Sequence, residues 1–305
     1  MRWRLPRIRL LDQRFDATYH RDLPKLRKLR TCVCLRLAGV MFFPTRMKRL
    51  HLIEIEDQDW CPPTIRNTAT DYLQFVLSKA KPYEPVVPVL ECALKRAGSR
   101  QVLDLCSGGA GPWFWLQHAL KDRGLKVSVC LTDKFPNPGA LAQSGRHPSD
   151  GIDYHPCSID ATRVPKELPG FRTMFTAFHH FRPAEARAVL ADAVRQRRGI
   201  AIFEGSERSV LGLLSMLLAP FMVLVMIPFV RPFRWSRLLW TYLIPLVPLV
   251  TLFDGLVSCL RTYSVPELRQ FAAELGAQDY EWEIGSLKIP RSPIPVTYLI
   301  GVPRT

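Results

Sequence analysis

The chain has 305 residues, 48% of them hydrophobic and 23% charged, which is long enough for a large α/β domain that buries its core without crosslinks. Its formal net charge of +15 would suggest nucleic acid, but residues 1–48 hold 13 Lys/Arg against 3 Asp/Glu, so most of the excess sits at one end. The remainder is mildly basic and offers little electrostatic argument for a nucleic-acid partner.

The first 46 residues mix arginine clusters with short apolar pieces and lack the uninterrupted apolar core of a secretory signal. Three readings stand for this segment: a basic arm on anionic lipid, a nucleic-acid-binding arm, and a poorly ordered extension, the last preferred. The eight cysteines lack the paired spacing of a zinc site, the isolated Cys32-Val33-Cys34 included, and read as reduced thiols. No metal is expected from them.

Ordered composition begins after Met47, at Leu50-His51-Leu52-Ile53-Glu54-Ile55-Glu56-Asp57. Apolar residues then recur at helical spacing over 67–77 and 84–97, and Gly98 is a natural helix stop. Strand and helix patterns alternate from there. Strands are expected at 101–106, 126–132, 151–157, 173–178 and 199–203, with helices at 113–121 and 183–195. Such alternation predicts a doubly wound, mostly parallel sheet.

The pattern changes at Ser209. Two uncharged runs, 209–230 and 238–253, flank Arg231-Pro232-Phe233-Arg234-Trp235-Ser236-Arg237. The first is long enough to cross a bilayer and the second is marginal. Pro220, Pro228, Pro245 and Pro248 interrupt them, and each proline removes a backbone donor that lipid cannot replace. Two full spans would also place three arginines opposite a cytosolic domain, against the positive-inside tendency. A shallow or re-entrant hairpin with the arginines at the headgroups is the expected arrangement, and a buried lid or dimer interface is the alternative. Beyond it, Ser264 with Glu267 three residues on predicts a capped helix that Gly276 ends, followed by strands at 280–284 and 295–302. The expected organisation is thus an extension (1–46), a helical segment (47–98), a Rossmann-like core (99–208), a hydrophobic hairpin (209–253) and a closing helix with two strands (254–305).

The chemistry concentrates in Asp104-Leu105-Cys106-Ser107-Gly108-Gly109-Ala110-Gly111-Pro112, where a strand ends and a helix opens. Glycines allow close backbone approach to a ligand, and the helix start offers free N–H groups. The dinucleotide fingerprint fails because Cys106 takes its first glycine position. A second strand ends in Asp133-Lys134, where a carboxylate can accept from ribose hydroxyls, and a third element ends in Asp160-Ala161.

With these residues in this order, and with Phe178-His179-His180-Phe181 after the fourth strand, the chain resembles class I S-adenosylmethionine (SAM)-dependent methyltransferases over roughly 65–302. The resemblance implies a seven-stranded Rossmann-like sheet and SAM as cofactor. It implies that Asp104, Cys106, Ser107, Gly108, Gly109 and Gly111 surround the methionine portion, Asp133 with Lys134 the ribose, and Asp160 with Ala161 the adenine. Cys106 and Ala110 depart from the family's first and third loop glycines. His179 and His180 are the candidate catalytic residues, able to take a proton or orient an acceptor, and Glu204 is a candidate contact at the same edge.

The Asn/Asp-Pro-Pro-Tyr motif of base-amino methyltransferases is absent after the fourth strand, and Pro156-Cys157 stands in the wrong place for a cytosine-C5 nucleophile. The expected acceptor is a small hydrophobic or lipid-like molecule, met at the cytoplasmic side of a membrane surface. A catalytically silent SAM-binding membrane scaffold and a nicotinamide-dependent reductase are the alternatives; the reductase lacks a Tyr-x-x-x-Lys pair after the fourth strand.

Overall fold

A computed structural model describes residues 47–137, 151–290 and 292–304. The basic extension 1–46, with its three readings and Cys32-Val33-Cys34, lies outside them. The described residues belong to one compact unit.

Helix α1 (Pro63–Ala80) starts earlier than its apolar periodicity suggests, because Pro63 stands at the first helical position where its missing N–H is harmless. A short 3-10 turn leads into α2 (Val87–Arg96), and Gly98 follows with φ +59°, the left-handed stop expected from sequence. The strands come next: β1 (Gln101–Asp104), β2 (Ser128–Leu131), β3 (Ile152–Tyr154), β4 (Phe171–Phe175) and β5 (Ile200–Glu204), with α3 (Trp113–Asp122) after β1 and α4 (Pro183–Arg195) after β4. After the apolar insertion, α9 (Val265–Glu274) precedes β6 (Tyr280–Leu287) and β7 (Val296–Pro303). The Ser264 N-cap is closed by Glu267, whose Oε2 accepts from Ser264 N at 2.7 Å.

These strands form one seven-stranded sheet in the order β3-β2-β1-β4-β5-β7-β6. The first five are parallel, and β7 runs antiparallel between β5 and β6. Apolar clusters fill both faces, one around Trp113, Phe175 and Phe203, the other around Leu103, Met174 and Leu190. The sheet is therefore the doubly wound, mostly parallel α/β sheet expected, consistent with a Rossmann-like fold. Its strand order reverses between β1 and β4, and ligands of such sheets bind beyond the carboxyl ends at that reversal.

One strand is displaced from expectation. The fourth, expected at 173–178, spans Phe171–Phe175, because Thr176 turns into the left-handed region at φ +46° and Phe178–His180 forms a 3-10 turn. The apolar run continues through that turn, since Ala177 and Phe178 are buried beneath it.

The insertion comprises α5 (Val210–Met216), α6 (Ala219–Met226), a 3-10 turn, α7 (Trp235–Leu238) with a π-turn after it, and α8 (Leu246–Arg261). The prolines stand where a missing N–H costs little: Pro220 and Pro248 in first turns, Pro228 in the 3-10 turn, Pro245 at the α8 N-cap. The stretch Val210–Phe229 is long and apolar enough to cross a membrane, while Trp235–Leu243 and Leu246–Arg261 meet at a 74° bend. Val223, Ile227, Val230, Val247 and Val250 pack against Cys61, Ile65 and Tyr72, so the insertion is docked on α1. Arg231 and Arg234 are exposed. Arg237 is not at a surface: it is buried and paired with Asp71 of α1, which corrects its expected place beside the other two.

Candidate functional site

The loop after β1 is built around Asp104. Its Oδ1 accepts from Thr173 Oγ1 at 2.6 Å and its Oδ2 from Ser107 Oγ at 2.7 Å, and only 2% of the residue is exposed. Burial pushes its carboxyl up to about 6, against the pull of those hydroxyl donors. Asp104 thus shapes the loop by fixing Ser107, whose N–H donates to Thr132 O at 2.9 Å.

The two departures from the glycine pattern mark strained backbone. Cys106 has φ +56° and Ala110 φ +80°, alongside Gly108 at +49° and Gly111 at +48°. Four left-handed residues curl the segment onto the start of α3, and two of them are held there without glycine's freedom. Gly109 answers a different demand: a Cβ there would meet Thr70 O at 2.8 Å, so the loop lies directly under α1.

Asp133 follows β2, half-buried, with Oδ2 accepting from Gly108 N and Oδ1 from Phe135 N, each at 2.8 Å. Burial raises its carboxyl, opposed by those two bonds and by the charge of His180. Lys134 is exposed, its Nζ 3.9 Å from Asp59, while its carbonyl accepts from Ser158 Oγ at 2.7 Å. Ile159 N donates to Asp133 O at 2.9 Å, tying the loops after β2 and β3 together. Asp160 is exposed and uses Oδ1 for Thr162 N and Oγ1; Ala161 is buried behind it. Tyr154 of β3 donates to Gly108 O at 3.0 Å. The structure therefore brings Cys106–Gly111, Asp133 and Asp160 to one carboxyl edge, with Asp104 beneath them and the Lys134 side chain turned to solvent.

His179 and His180 stand beyond β4. His179 is 1% exposed; its Nδ1–H donates to Glu204 Oε2 at 2.7 Å. Glu204, the last residue of β5, also accepts from Phe178 N at 2.6 Å. Burial opposes ionisation of Glu204, but His179 and these donors outweigh it and hold its carboxyl low. His180 donates through Nδ1 to Asp57, 2.8 Å from Oδ1, and lies 3.0 Å from Glu54 Oε2. Burial works against its charge, yet Glu54 and Asp57 prevail and carry it to about 10.

Glu54 and Asp57 join the site without having been expected there. Both belong to the stretch before α1 and are gathered by α8. Asp254 accepts from Ile55 N and Glu56 N at 2.8 and 3.0 Å, Ser258 Oγ donates to Glu54 Oε1 at 3.1 Å, and buried Arg261 reaches Glu54 at 3.3 Å and Asp57 at 3.1 Å. Burial, Asp254 and Glu54 raise Glu56 to about 8. The acidic run Glu54-Ile55-Glu56-Asp57 is the signal that points to them, but its cationic partners lie far along the chain.

The sequence matches no family model and no curated protein. Among solved structures it is similar to a protein of Rhodobacter sphaeroides described as a Zn-dependent alcohol dehydrogenase, with 15% identity over 78% of this chain and 99% of that one, TM-score 0.44. It is also similar to the plantazolicin methyltransferase BpumL in complex with SAH, at 9% identity over 79% and 96%, TM-score 0.44. A third is the magnesium protoporphyrin IX methyltransferase of Synechocystis PCC 6803 with bound SAM, at 10% identity over 75% and 82%, TM-score 0.42. Likeness at this level carries no functional weight.

Proposed function

We propose that the protein is a SAM-dependent methyltransferase that works against a membrane surface on a hydrophobic or amphiphilic acceptor. The observation that carries the cofactor is the sequence of groups along one edge: the left-handed loop after β1, Asp133 after β2 and Asp160 after β3, on three neighbouring parallel strands at the strand-order reversal. The donor chemistry fits SAM. Asp133 would take the ribose hydroxyls, Asp160 with Ala161 the adenine, and the loop backbone at Cys106–Gly111 the methionine portion. Bound SAM supplies a methyl group already activated by its sulfonium.

The chain's own part is alignment. In-line displacement at a methyl carbon gains most from holding acceptor and donor in register with water excluded. α1 covers the loop, and the cluster of Glu54, Asp57, His179, His180 and Glu204 lies close enough to the loop for Asp57 and His180 to act on the charge of Asp133. An acceptor at the edge of that cluster would meet the partly exposed His180 imidazole, with buried His179 and the carboxylates behind it, and His180 can hold or move a proton.

The insertion supports the membrane part of the proposal. Leu217, Leu218, Phe221, Phe229, Trp235 and Leu243 are all more than half exposed, from 57% to 78%, and soluble monomers rarely expose so many large apolar side chains without a protein or membrane surface to cover them. Arg231 and Arg234 beside Phe233 and Trp235 suit a headgroup layer. Docking on α1 through the buried Arg237–Asp71 pair favours lying in the interface over crossing it, since a charged pair in hydrocarbon is expensive. α8 then runs from exposed Leu246 and Leu249 to Asp254 and Arg261 at the cluster, about 18 Å from Leu249 to Arg261 at 1.5 Å per residue. That gives a lipid-dissolved acceptor a short path to the transfer site.

Calorimetry with SAM, S-adenosylhomocysteine and NADH tests the cofactor on wild type and on Asp133→Asn. Micromolar SAM binding weakened about 10-fold or more in the variant is expected, from loss of charge-assisted hydrogen bonds. NADH binding with none for SAM would overturn the reading. Methyl-labelled SAM with a total cell extract should then place label in the organic phase; label confined to nucleic acid or protein refutes the acceptor class, and binding without any label identifies a silent scaffold.

A further inference from the structure

We propose that Glu54, His179 and His180 form a binding site for a divalent transition-metal cation of the Zn²⁺ type at the acceptor side of the edge. One ligand atom from each residue lies within 4.8 Å of the others. Ligands about 2.0–2.2 Å from a tetrahedral ion stand about 3.4 Å apart. Both imidazoles stand near that distance from the Glu54 carboxylate, through its different oxygens: His179 Nε2 is 3.7 Å from Oε1 and His180 Nδ1 is 3.0 Å from Oε2.

The independent sign of a ligand is His179 itself. Its Nδ1 is committed to Glu204, which leaves Nε2 as the free ring nitrogen, and that atom is buried with no hydrogen-bond partner among the described residues. A buried polar nitrogen left without a partner is costly, and a ligand would relieve that cost. A metal-binding histidine characteristically donates its other nitrogen to a carboxylate, which fixes tautomer and ring direction, and Glu204 does this here.

The donor set narrows the kind of ion. Two imidazoles with one carboxylate are borderline donors, suited to Zn²⁺, Mn²⁺, Fe²⁺ or Co²⁺ rather than Ca²⁺ or Mg²⁺. Asp57, 2.8 Å from His180 Nδ1, is at hand as a fourth ligand.

The role of the ion rests on the methyltransferase reading, whereas its binding does not. An ion there would select an oxygen acceptor, such as a phenol, enol or catechol, by lowering the pKa of a bound hydroxyl. The hydroxyl proton leaves to solvent, the oxygen forms its bond to the sulfonium methyl carbon, and the C–S bonding pair stays on sulfur as the neutral thioether.

The test is titration of the full chain, stripped with EDTA and dialysed, with Co²⁺ alone. One equivalent should bind, with visible bands of nitrogen–oxygen ligation, and Zn²⁺ should displace it. His179→Ala and Glu54→Gln should each weaken binding at least 10-fold, while Cys92→Ser and Cys157→Ser, at exposed thiols, leave it unchanged. Substoichiometric binding, a thiolate-to-cobalt charge-transfer band in wild type, or undiminished binding by folded His179→Ala overturns the site. The wild-type spectrum decides even if a variant fails to fold. SAM calorimetry on the same samples separates the two proposals, since loss of SAM binding with Co²⁺ binding intact would refute only the methyltransferase.

Discussion

The sheet and the insertion are built from the same apolar residue types and treat them in opposite ways. Every residue of β4 and β5 is buried, and Phe175, Phe203 and Trp113 pack ring against ring beneath the edge. In the stretch Val210–Phe229, only 17% of the most apolar window is buried. Burial is worth about 25 cal/mol per Å² of apolar surface, so the sheet gains from folding what the insertion can gain only from a second, non-aqueous neighbour. The cluster at Glu54, His179 and His180 lies where these two regions meet, because α8 belongs to the insertion and His179 to the turn that follows β4.

The sharpest way to break this contrast is to make one substitution on each side. Phe203→Ala should cost about 3–5 kcal/mol of stability by loss of burial and a residual cavity. Phe221→Ala, 63% exposed, should change stability by less than about 0.5 kcal/mol. Urea denaturation in detergent-free buffer reads both, and equal losses would mean that the insertion is covered in solution. Next comes partition onto vesicles. Leu218→Asp with Phe221→Asp should lower binding to vesicles containing anionic lipid at least about 100-fold, since each side chain is worth about 1.5–3 kcal/mol when buried. Val223→Asp on the same helix should instead unfold it, because Val223 is fully buried against α1. Sedimentation that leaves the double variant bound as tightly as wild type would end the membrane reading.

Local signals explain how much is legible in the sequence. Gly98, Gly276 and the Ser264–Glu267 box act within a few residues, so they mark helix ends, and alternation of strand and helix specifies the parallel sheet. Legibility fails where tertiary partners decide. Arg237 looks like a headgroup arginine until Asp71 is found across from it. The end of β4 is hidden because Ala177-Phe178 stays apolar after the chain has left the sheet. Glu54 and Asp57 stand out in the sequence only as part of the run where ordered composition begins, and Arg261, Ser258 and His180 give them a place. The loop residues are legible as a group, but that Asp104 lies beneath the edge while Asp133 and Asp160 stand at it depends on Thr173 and Ser107, which no spacing reveals.

Asp104 gives the sheet side a pH signature that one substitution isolates from Asp254 on α8, whose carboxyl burial also pushes up to about 6. Its carboxyl titrates near 6 when folded, against about 3.9 in an unfolded chain. The folded state therefore holds this proton more tightly, and stability falls as pH rises from about 4 through 6, by up to about 3 kcal/mol, with the full penalty above 6 and none below 4. Asp104→Asn cannot ionise. Relative to wild type its stability should improve steadily across that window, whatever the offset from altered hydrogen bonds to Thr173 and Ser107. Denaturant midpoints at pH 4, 5, 6 and 7 would show it, and a constant difference would mean that the carboxyl is not raised.

The smallest effect tests the strain in the loop. Ala110 is fully buried yet sits at φ +80°, a conformation costing an L-residue roughly 1–2 kcal/mol. Ala110→Gly relieves that strain, loses a buried methyl worth about 0.8 kcal/mol, and adds about 0.5–1 kcal/mol of unfolded-state entropy. The terms nearly cancel, so the variant should lie within about 0.5 kcal/mol of wild type. Ala193→Gly, equally buried but inside α4, has no strain to relieve and should lose about 1.5–2 kcal/mol. If the two variants lost the same amount, Ala110 would be unstrained. A near-neutral Ala110→Gly would instead mean that the chain tolerates alanine where glycine is natural because its methyl is needed in the core beneath the loop.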